Sequence, residues 1–443
     1  MAEKDGRNMK NMMTTNGRMD DVGRRQAGWR AWILLVCLIA GMMFLLQGET
    51  VDAAGTELQT YYITPKTAPC NDLYPKMSTY NAYTKHYYLI RSYMEKLEEE
   101  GGGTLVLRKG TYTITNTIGI PSNVKLICND GVVIKKGLKT DTAAMPPSNS
   151  IFMLCAPSKL AETGVYSGYQ GEKNIVIRGR GTVVFDMQNY KAKGGATPVL
   201  IEGAHNKNVK ISNITFRNMY NGHFIELDAS YKYTIDGCTF EEISGTVLRE
   251  AINLDTPDES TGGFSAQWSS MDCTANHTVT IKNCVFRNMS RAIGTHNYSE
   301  GHWHKKIVID SCTFEGIRRY AIDAMYWRAS AIRNCTIVGT TEESDGVKPA
   351  TDAEKPYGMG IFATGIYGLM IQNNHIENFY EPVVIKPLNE GADSIYNPVD
   401  NALSEANITA FETNTCRNCG IPEVLWRRAE TDKWSHTVIS VVE

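Results

Sequence analysis

Acidic residues recur at matching positions in a set of short, alternating segments. Aligned on a central isoleucine, these segments read HFIELD, EAINLD, RAIGTH, YAIDAM and MGIFAT. Asp228, Asp255 and His296 stand three residues after the isoleucine, and Glu250 stands two residues before it. Neighbouring strands lie about 4.8 Å apart, so Asp228 and Asp255 would lie roughly 5 Å from each other, with His296 one strand further. Two carboxyl groups that close can share a proton and divide the roles of acid and of base or nucleophile.

A second column, one residue after the isoleucine, holds Glu226, Asn253 and Asp323. Side chains at odd offsets point to the face opposite the isoleucine, so both columns form one polar patch. Acidic side chains in register on neighbouring strands repel each other, a cost that favours a functional site over a structural role. The alternative is that they are chance acids on a solvated face. We predict substrate contacts for Glu226, Asn253, Asp323 and also Arg291, which precedes its isoleucine as Glu250 does.

Two insertions would bring aromatic side chains to this patch. The longest insertion of the array, TPDESTGGFSAQWSSMDC, directly follows Asp255, and NYSEGHWHKK follows His296. Long loops on one face of a repeat protein typically build the wall of a ligand site. We predict that four aromatic residues stack on sugar rings, with ordinary packing as the alternative for each: Trp268, Tyr298, Trp303 and Tyr326.

The segments belong to a longer repeat that begins at Asn208. Phrases such as NVKISNITFRNM, VTIKNCVFRNM and IVIDSCTFEGI each read as two short strands around a polar turn. A period near 23 with three short strands per repeat predicts stacked coils of a parallel β-helix. The apolar residues that close the phrases are Phe216, Phe240, Phe286, Phe314, Ile337 and Ile376.

Cysteine and asparagine recur at fixed positions of this repeat. We predict that the cysteines stack inside the coils as small apolar fillers, without disulfides, and that the asparagines form a ladder of turns. The cysteines are Cys238, Cys284, Cys312 and Cys335, and the asparagines are Asn213, Asn283, Asn334 and Asn373. Cys416 and Cys419 form a lone C-x-x-C, for which packing or a disulfide is favoured over a zinc or redox role.

The first 53 residues are predicted to be a signal peptide or an uncleaved N-terminal membrane anchor, because residues 31–46 are apolar and uncharged. Residues 54–79 are interpreted as a lead-in segment. The chain is therefore expected to be secreted or at the cell surface, with membrane contact only through the apolar segment if it is kept. A net charge of −3 gives no reason to expect a nucleic-acid partner, and we expect a monomer.

Apolar residues at helical spacing predict a helix over about 80–100 that covers the open end of the coils. These residues are Tyr83, Tyr87, Ile90, Met94 and Leu97, and the glycines at 101–103 would end the helix.

From about Tyr80 onward the chain resembles a known superfamily. A helix, then EEGGGTLVLRKGTYTITNTIGIPSNVKLI, then asparagine-rich short-strand coils is similar to the pectin-lyase-like right-handed β-helix proteins. The resemblance is to the pectate lyase and rhamnogalacturonase type, related to glycoside hydrolase family 28. It implies an all-β fold, a right-handed parallel β-helix solenoid with an N-terminal capping α-helix, over residues 80–443. It also implies action on a polysaccharide, with Asp228, Asp255 and His296 in parts analogous to those of family 28.

The first functional hypothesis is a hydrolase of glycosidic bonds that needs no cofactor. Asp228 and Asp255 would be the catalytic pair, Glu250 the alternate acid, and His296 the group that orients or shuttles a proton.

The second hypothesis is a polysaccharide lyase that acts by β-elimination on a uronate glycan and requires Ca²⁺, with His296, Arg291 or Lys386 as the base. Its calcium ligands would be Glu226, Glu250, Asn253 and Asp255. The third hypothesis is a non-catalytic surface protein that binds glycan or cell wall. We rank the hydrolase slightly ahead of the lyase, and both ahead of the binding protein.

Overall fold

The computed structural model describes residues 58–247, 249–262, 264–340, 358–389, 397–429 and 433–443. The predicted signal or anchor segment, residues 1–53, lies outside the described residues. Within the described ranges, no helix combines the length and the apolar character needed to cross a membrane.

The described chain contains thirty-one short strands. In chain order they are β1 Thr60–Ile63, β2 Gly103–Leu107, β3 Gly110–Ile114, β4 Ile118–Gly119, β5 Val124–Cys128, β6 Val132–Lys136, β7 Ser150–Met153, β8 Lys173–Gly179, β9 Val183–Asp186, β10 Val199–Ala204, β11 Lys207–Ser212, β12 Thr215–Tyr220, β13 His223–Asp228, β14 Tyr231–Asp236, β15 Thr239–Ser244, β16 Glu250–Asp255, β17 His277–Lys282, β18 Val285–Gly294, β19 His304–Asp310, β20 Thr313–Met325, β21 Trp327–Arg328, β22 Ala331–Arg333, β23 Thr336–Gly339, β24 Met359–Thr364, β25 Met370–Gln372, β26 His375–Glu377, β27 Glu381–Lys386, β28 Thr415–Arg417, β29 Glu423–Trp426, β30 Ser435–Val438 and β31 Ser440–Val441. The helices are α1 Lys85–Glu99 and α2 Glu405–Phe411, and short 3₁₀ turns lie at Tyr74–Lys76 and Pro157–Lys159.

Apart from the antiparallel pair of β29 and β30, the strands pair in three parallel stacks, which we call faces A, B and C, and the central coils contribute one strand to each face. Face A contains β1, β2, β5, β8, β11, β14, β17, β19, β22 and β25, and the short strand β21 also pairs with β19. Face B contains β3, β6, β9, β12, β15, β18, β20, β23, β26, β28 and β31. Face C contains β4, β7, β10, β13, β16, β18, β20, β24, β27, β29 and β30, because the long strands β18 and β20 turn the corner from face B. This is the predicted parallel β-helix.

Identical side chains stack along the interior of the solenoid. Phe216, Phe240, Phe286 and Phe314 are fully buried, and consecutive rings lie 4.9 Å apart and nearly parallel. The same ladder continues through Ile337 and Ile376, which confirms the predicted register. Burying one such side chain contributes about 1.5–3 kcal/mol, so a regular repeat of apolar residues fixes the register of every coil.

The cysteine and asparagine ladders are also as predicted. Cys238, Cys284, Cys312 and Cys335 are buried in the core, and none of the cysteines in the described ranges forms a disulfide, Cys416 and Cys419 included. The ladder asparagines, represented by Asn213 at φ 56°, adopt the left-handed conformation that asparagine tolerates better than most residues.

Helix α1 lies within the range predicted for it. Tyr87, Ile90, Met94 and Leu97 are buried on one side of the helix and belong to the main core, and Gly101 at φ 76° follows its end. Whether the helix acts as a cap over the first coil stays a prediction. Strand β1 pairs with β2, so the β-helix already includes part of the segment interpreted as a lead-in.

Candidate functional site

Face C carries the predicted polar columns in the predicted register. Along one column, Glu226 pairs with Asn253 and Asn253 pairs with Gly294. Gly294 in turn pairs with Asp323 on the next strand. Asp228 pairs with Asp255. Four strands, β13, β16, β18 and β20, therefore present their outward side chains at one place, because each coil repeats the same apolar anchor at its central isoleucine.

The insertion after Asp255 covers part of this face. Trp268 is 1% exposed and packs with Phe264, Ala204 and Cys155 into a small apolar core outside the solenoid. Asp228 and Asp255 are fully buried, although their positions point away from the interior of the solenoid. Trp268 has no open ring face, so it is a packing residue and not a sugar platform.

His296 joins two of the predicted catalytic acids. Its Nδ1 lies 3.2 Å from Glu250 Oε2 and its Nε2 lies 3.4 Å from Asp255 Oδ2. The turn that carries His296 is held by Asp255 as well, since Asp255 Oδ1 accepts the backbone N–H groups of His296 and Asn297. Asn253 donates its side-chain amide to Asp255 Oδ2 at 3.1 Å. The ring therefore has a carboxylate at each nitrogen, although it follows β18 in a turn and not in the strand.

These contacts keep His296 charged at neutral pH. Burial alone would lower the pKa of His296, but the charges of Asp255 and Glu250 outweigh burial and the nearby Arg249, and they raise the pKa to about 9. Burial likewise tends to raise the pKa of Glu250, yet His296, His223 and Arg291 together hold it well below its usual value. An imidazolium with a pKa near 9 is a poor general base at neutral pH, so the predicted proton-shuttle role of His296 is not favoured.

His223 lies beside His296 but is neutral. The two rings are nearly parallel with centroids 5.7 Å apart, and His223 Nδ1 donates to the backbone carbonyl of Glu250 at 2.7 Å. Its complete burial, aided by the charge of His296 and only partly opposed by Glu250, lowers the pKa of His223 to about 3.

The carboxylate of Glu250 has a cation on its other oxygen. Arg291 donates to Glu250 Oε1 at 2.8 Å and lies 4.0 Å from Asp323. Burial raises the pKa of Asp323 to about 7, an increase to which Glu250 adds and which Arg291 opposes.

The ion pair between Arg291 and Glu250 argues against the predicted calcium site. Hard cations take free oxygen ligands, whereas Glu250 is engaged by Arg291 and His296, and Asp255 accepts two backbone amides. The four predicted ligands Glu226, Glu250, Asn253 and Asp255 therefore do not fit a Ca²⁺ ion in this arrangement. Donor atoms of His223, Glu250 and His296 do lie within 4.8 Å of one another, a set more typical of a transition metal.

Asp228 stands apart from this network. Among the described residues, neither of its carboxyl oxygens has a hydrogen-bond partner. Burial, reinforced by the charges of Glu226, Asp255 and Glu202, raises the pKa of Asp228 well above its ordinary value. This environment favours the neutral form of Asp228, which has no contact with solvent.

An open cleft of about 700 Å³ lies next to His296 on face C. Glu202, Glu226, His296 and Arg249 line it, together with residues of the insertion such as Phe264. The cleft is therefore bounded by strands β10 and β13 on one side and by the insertion on the other.

Two carboxyl groups on adjacent strands face this cleft. Glu202 on β10 pairs in register with Glu226 on β13. Burial and the charges of Glu202 and Asp255 raise the pKa of Glu226 strongly, against the opposing charges of His296 and Arg249. Burial also raises the pKa of Glu202, but Ser150 donates to Glu202 Oε2 at 2.7 Å and favours its ionised form.

Sequence reasoning missed Glu202 and Arg249. The segment VLIEGA was not aligned with the others, although Ile201 pairs with Ile225 and would have placed Glu202 directly in the column of Glu226. Arg249 precedes the aligned segment by one residue. Its guanidinium lies 3.3 Å from His296 Nε2 and donates a hydrogen bond to Thr197 Oγ1 at 3.2 Å. Arg249 therefore connects His296 with Thr197 in the wall of the cleft.

The remaining predicted sugar-stacking residues pack against one another. Tyr298 and Tyr326 are almost completely buried, with ring centroids 4.7 Å apart. Trp303 stacks on Tyr326 at 3.9 Å, and Leu388 completes the cluster. The stacking prediction is therefore wrong for Tyr298 and Tyr326, and Trp303 has one ring face taken by Tyr326.

Comparisons with known proteins agree with this fold. The family described as right handed beta helix region matches residues 162–337. Two structures of PfbA, a surface adhesin of Streptococcus pneumoniae, are 13% and 14% identical with TM-scores of 0.54 and 0.53; they cover 85% and 86% of this chain and 94% and 96% of the adhesin. A polygalacturonase from Erwinia carotovora is 14% identical over 82% of this chain and 95% of its own, with a TM-score of 0.45. None of the curated proteins matches the sequence.

Fold and family match together define the class of the protein as an all-β parallel solenoid with a polar cleft on one face. The chain has the right-handed β-helix fold that its sequence resemblance predicted, and the family model matches it over residues 162–337.

Proposed function

We propose that the chain is an extracellular enzyme that hydrolyses glycosidic bonds of a polysaccharide in the cleft on face C. The observation that carries the proposal is the pair Glu202 and Glu226, which lie on adjacent strands, line the cleft and both have raised pKa values. Glycoside hydrolysis needs two carboxyl groups on either side of the scissile bond, one protonated and one ionised. The buried Asp228 and Asp255 do not line the cleft, so the proposed pair shifts to the two glutamates.

The surroundings of the pair assign their roles. Glu226 has the more strongly raised pKa and holds the proton, so it is the general acid that protonates the leaving oxygen. Glu202 accepts a hydrogen bond from Ser150 and is the carboxylate that activates water or attacks.

His296 supplies a fixed positive charge to the same cleft. The side chain of His296 is 23% exposed there, and Glu250 and Asp255 hold it in place and keep it protonated. It would stabilise negative charge on a bound substrate or on the ionised glutamate. Glu250 and Asp255 are then positioning residues for His296.

The test is incubation with a panel of neutral and uronate polysaccharides, measuring both new reducing ends and the absorbance of unsaturated products. We expect reducing ends without unsaturated products, a bell-shaped pH profile and no effect of EDTA. Glu202→Gln and Glu226→Gln should each lower kcat at least about 100-fold, and Glu226→Gln should remove the alkaline limb of the profile. Glu315→Gln, an exposed glutamate on β20, is the matched control and should retain full activity.

Other outcomes would favour the alternatives. Unsaturated products, an alkaline optimum and loss of activity in EDTA would replace the hydrolase with a metal-dependent lyase. Saturable binding of a polysaccharide without any cleavage would indicate a binding protein. Full activity of both glutamine variants would refute the proposed pair.

A further inference from the structure

A second groove lies on the outer side of face A, away from the cleft on face C. It has a volume of about 780 Å³ and crosses the strands β1, β2, β5, β8, β11 and β14. None of the residues considered so far for catalysis or substrate binding lines it. We call it the basic groove, because Lys125, Arg178, Arg180 and Lys210 line it.

The positive charge of the basic groove is largely uncompensated. Within the described ranges, no carboxylate forms an ion pair with Lys125, Arg178 or Arg180. Asp236 is the acid of the groove, and it lies 3.9 Å from Lys210 and 3.6 Å from Lys282. Four cations against one carboxylate give this groove a local charge of opposite sign to that of the whole chain, which is −3.

The sheet register explains how these cations come together. Lys125 on β5 and Lys210 on β11 both pair with Val176 on β8, so the two lysines lie on either side of it in one column. Arg178 lies two residues further along β8, between Ile127 and Ser212. Side chains two residues apart on a strand share a face, so the charges converge on the same outer surface.

The floor between the cations is apolar. Val106 and Ile127 point to the outside of the solenoid yet are nearly buried. Tyr62, at one end of the groove, is 58% exposed, and the guanidinium of Arg108 lies 5.2 Å from its ring centroid. An apolar floor with an aromatic ring suits the apolar side of sugar rings, and the flanking cations suit acidic substituents.

We propose that the basic groove is a binding site for an acidic polysaccharide that bears carboxylate or sulfate groups, separate from the cleft on face C. Charge complementarity favours an anionic partner. A nucleic acid carries charge along its full length, whereas a glycan with spaced charges matches a local groove. The proposal does not depend on the hydrolase assignment.

The experiment measures binding to three polymers that share one backbone: dextran, carboxymethyl dextran and dextran sulfate. We expect binding to the two charged polymers only, and weakening with added salt. The double variant Arg178→Ala/Lys210→Ala should bind about tenfold more weakly, a loss of about 1.4 kcal/mol that two exposed ion pairs can supply. Lys305→Ala, an exposed lysine on face A outside the groove, and Glu226→Gln, in the cleft, should both bind as the unaltered chain does.

Several results would overturn the proposal. These are equal binding by the double variant, equal binding of neutral dextran, or stronger binding of single-stranded DNA or of anionic lipid vesicles than of the charged dextrans. Lys125→Glu reverses one exposed charge at a second position and gives an independent measurement if the double variant is unstable. Loss of binding in Glu226→Gln would place the polymer in the cleft and also refute a separate site.

Discussion

His296 should make the stability of the protein depend on alkaline pH. Its pKa is raised from 6.5 to about 9 by Asp255 and Glu250. A pKa of about 9 in the folded protein against 6.5 in the unfolded chain corresponds to about 3 kcal/mol of differential interaction between the two protonation states. Because the folded-state pKa is the higher one, this stabilisation is fully present below about pH 6.5 and is lost as the pH rises through about 9.

The assay compares the unaltered chain with His296→Gln by chemical denaturation across this pH range. The difference in unfolding free energy should shrink by about 3 kcal/mol between about pH 6 and about pH 9.5. Ionisable groups away from His296 titrate in both proteins, so the difference reports on His296 and on the two carboxylates that contact it. NMR titration of the histidine side chains should show one resonance with a pKa near 9 that is missing in His296→Gln.

His302→Gln serves as the matched control, because His302 is an exposed histidine in the same excursion of the chain. The pH dependence of its unfolding free energy is the reference for replacing a histidine in this part of the chain. A measured pKa of His296 at or below 6.5, or a flat difference profile for His296→Gln, would refute the ion-pair account of this site.

Three further predictions concern the covered acids. Asp228→Asn should stabilise the protein at neutral pH by at least roughly 1 kcal/mol, and the gain should grow as the pH rises above about 4, because the unfolded carboxyl ionises there while the buried one cannot; equal stability at pH 7 would contradict this. Asp255→Asn removes the charge beside His296 Nε2 and should bring the pKa of His296, followed by NMR, down from about 9 toward 6.5. Trp268→Ala should lower the free energy of unfolding by about 3–5 kcal/mol if the insertion and the solenoid unfold together. It should also expose residues 256–276 to limited proteolysis. An insertion that resists protease as before would show that Trp268 does not hold it in place.

The register of face C was readable from sequence because each coil repeats the same anchor. A central isoleucine points inward in every segment, and a slip of one residue would turn it to the outside. Asp228 opposite Asp255 and Glu226 opposite Asn253 follow from that anchor alone. The turn asparagines follow from the same repeat.

The covering of the site was not readable from sequence. It depends on Trp268 packing with Phe264, Ala204 and Cys155, which come from three separate parts of the chain. The insertion has no repeat pattern, so neither its path nor the burial of Asp228 and Asp255 follows from local spacing. This long-range packing decides which acids face the cleft. The proposed catalytic pair is therefore Glu202 and Glu226, which line the cleft.

The C-terminal end of the solenoid has a consequence for self-association. Among the strand pairs of the described ranges, only β29 with β30 is antiparallel, and α2 lies against β25 with Asn407 donating to the carbonyl of Leu369. An open last coil would present unpaired backbone groups in the parallel arrangement that another molecule could extend. A reversed strand on face C and a helix beside face A interrupt that template on two of the three faces, whereas face B ends in the parallel strand β31. Pairing with another molecule is therefore opposed at this end on faces C and A.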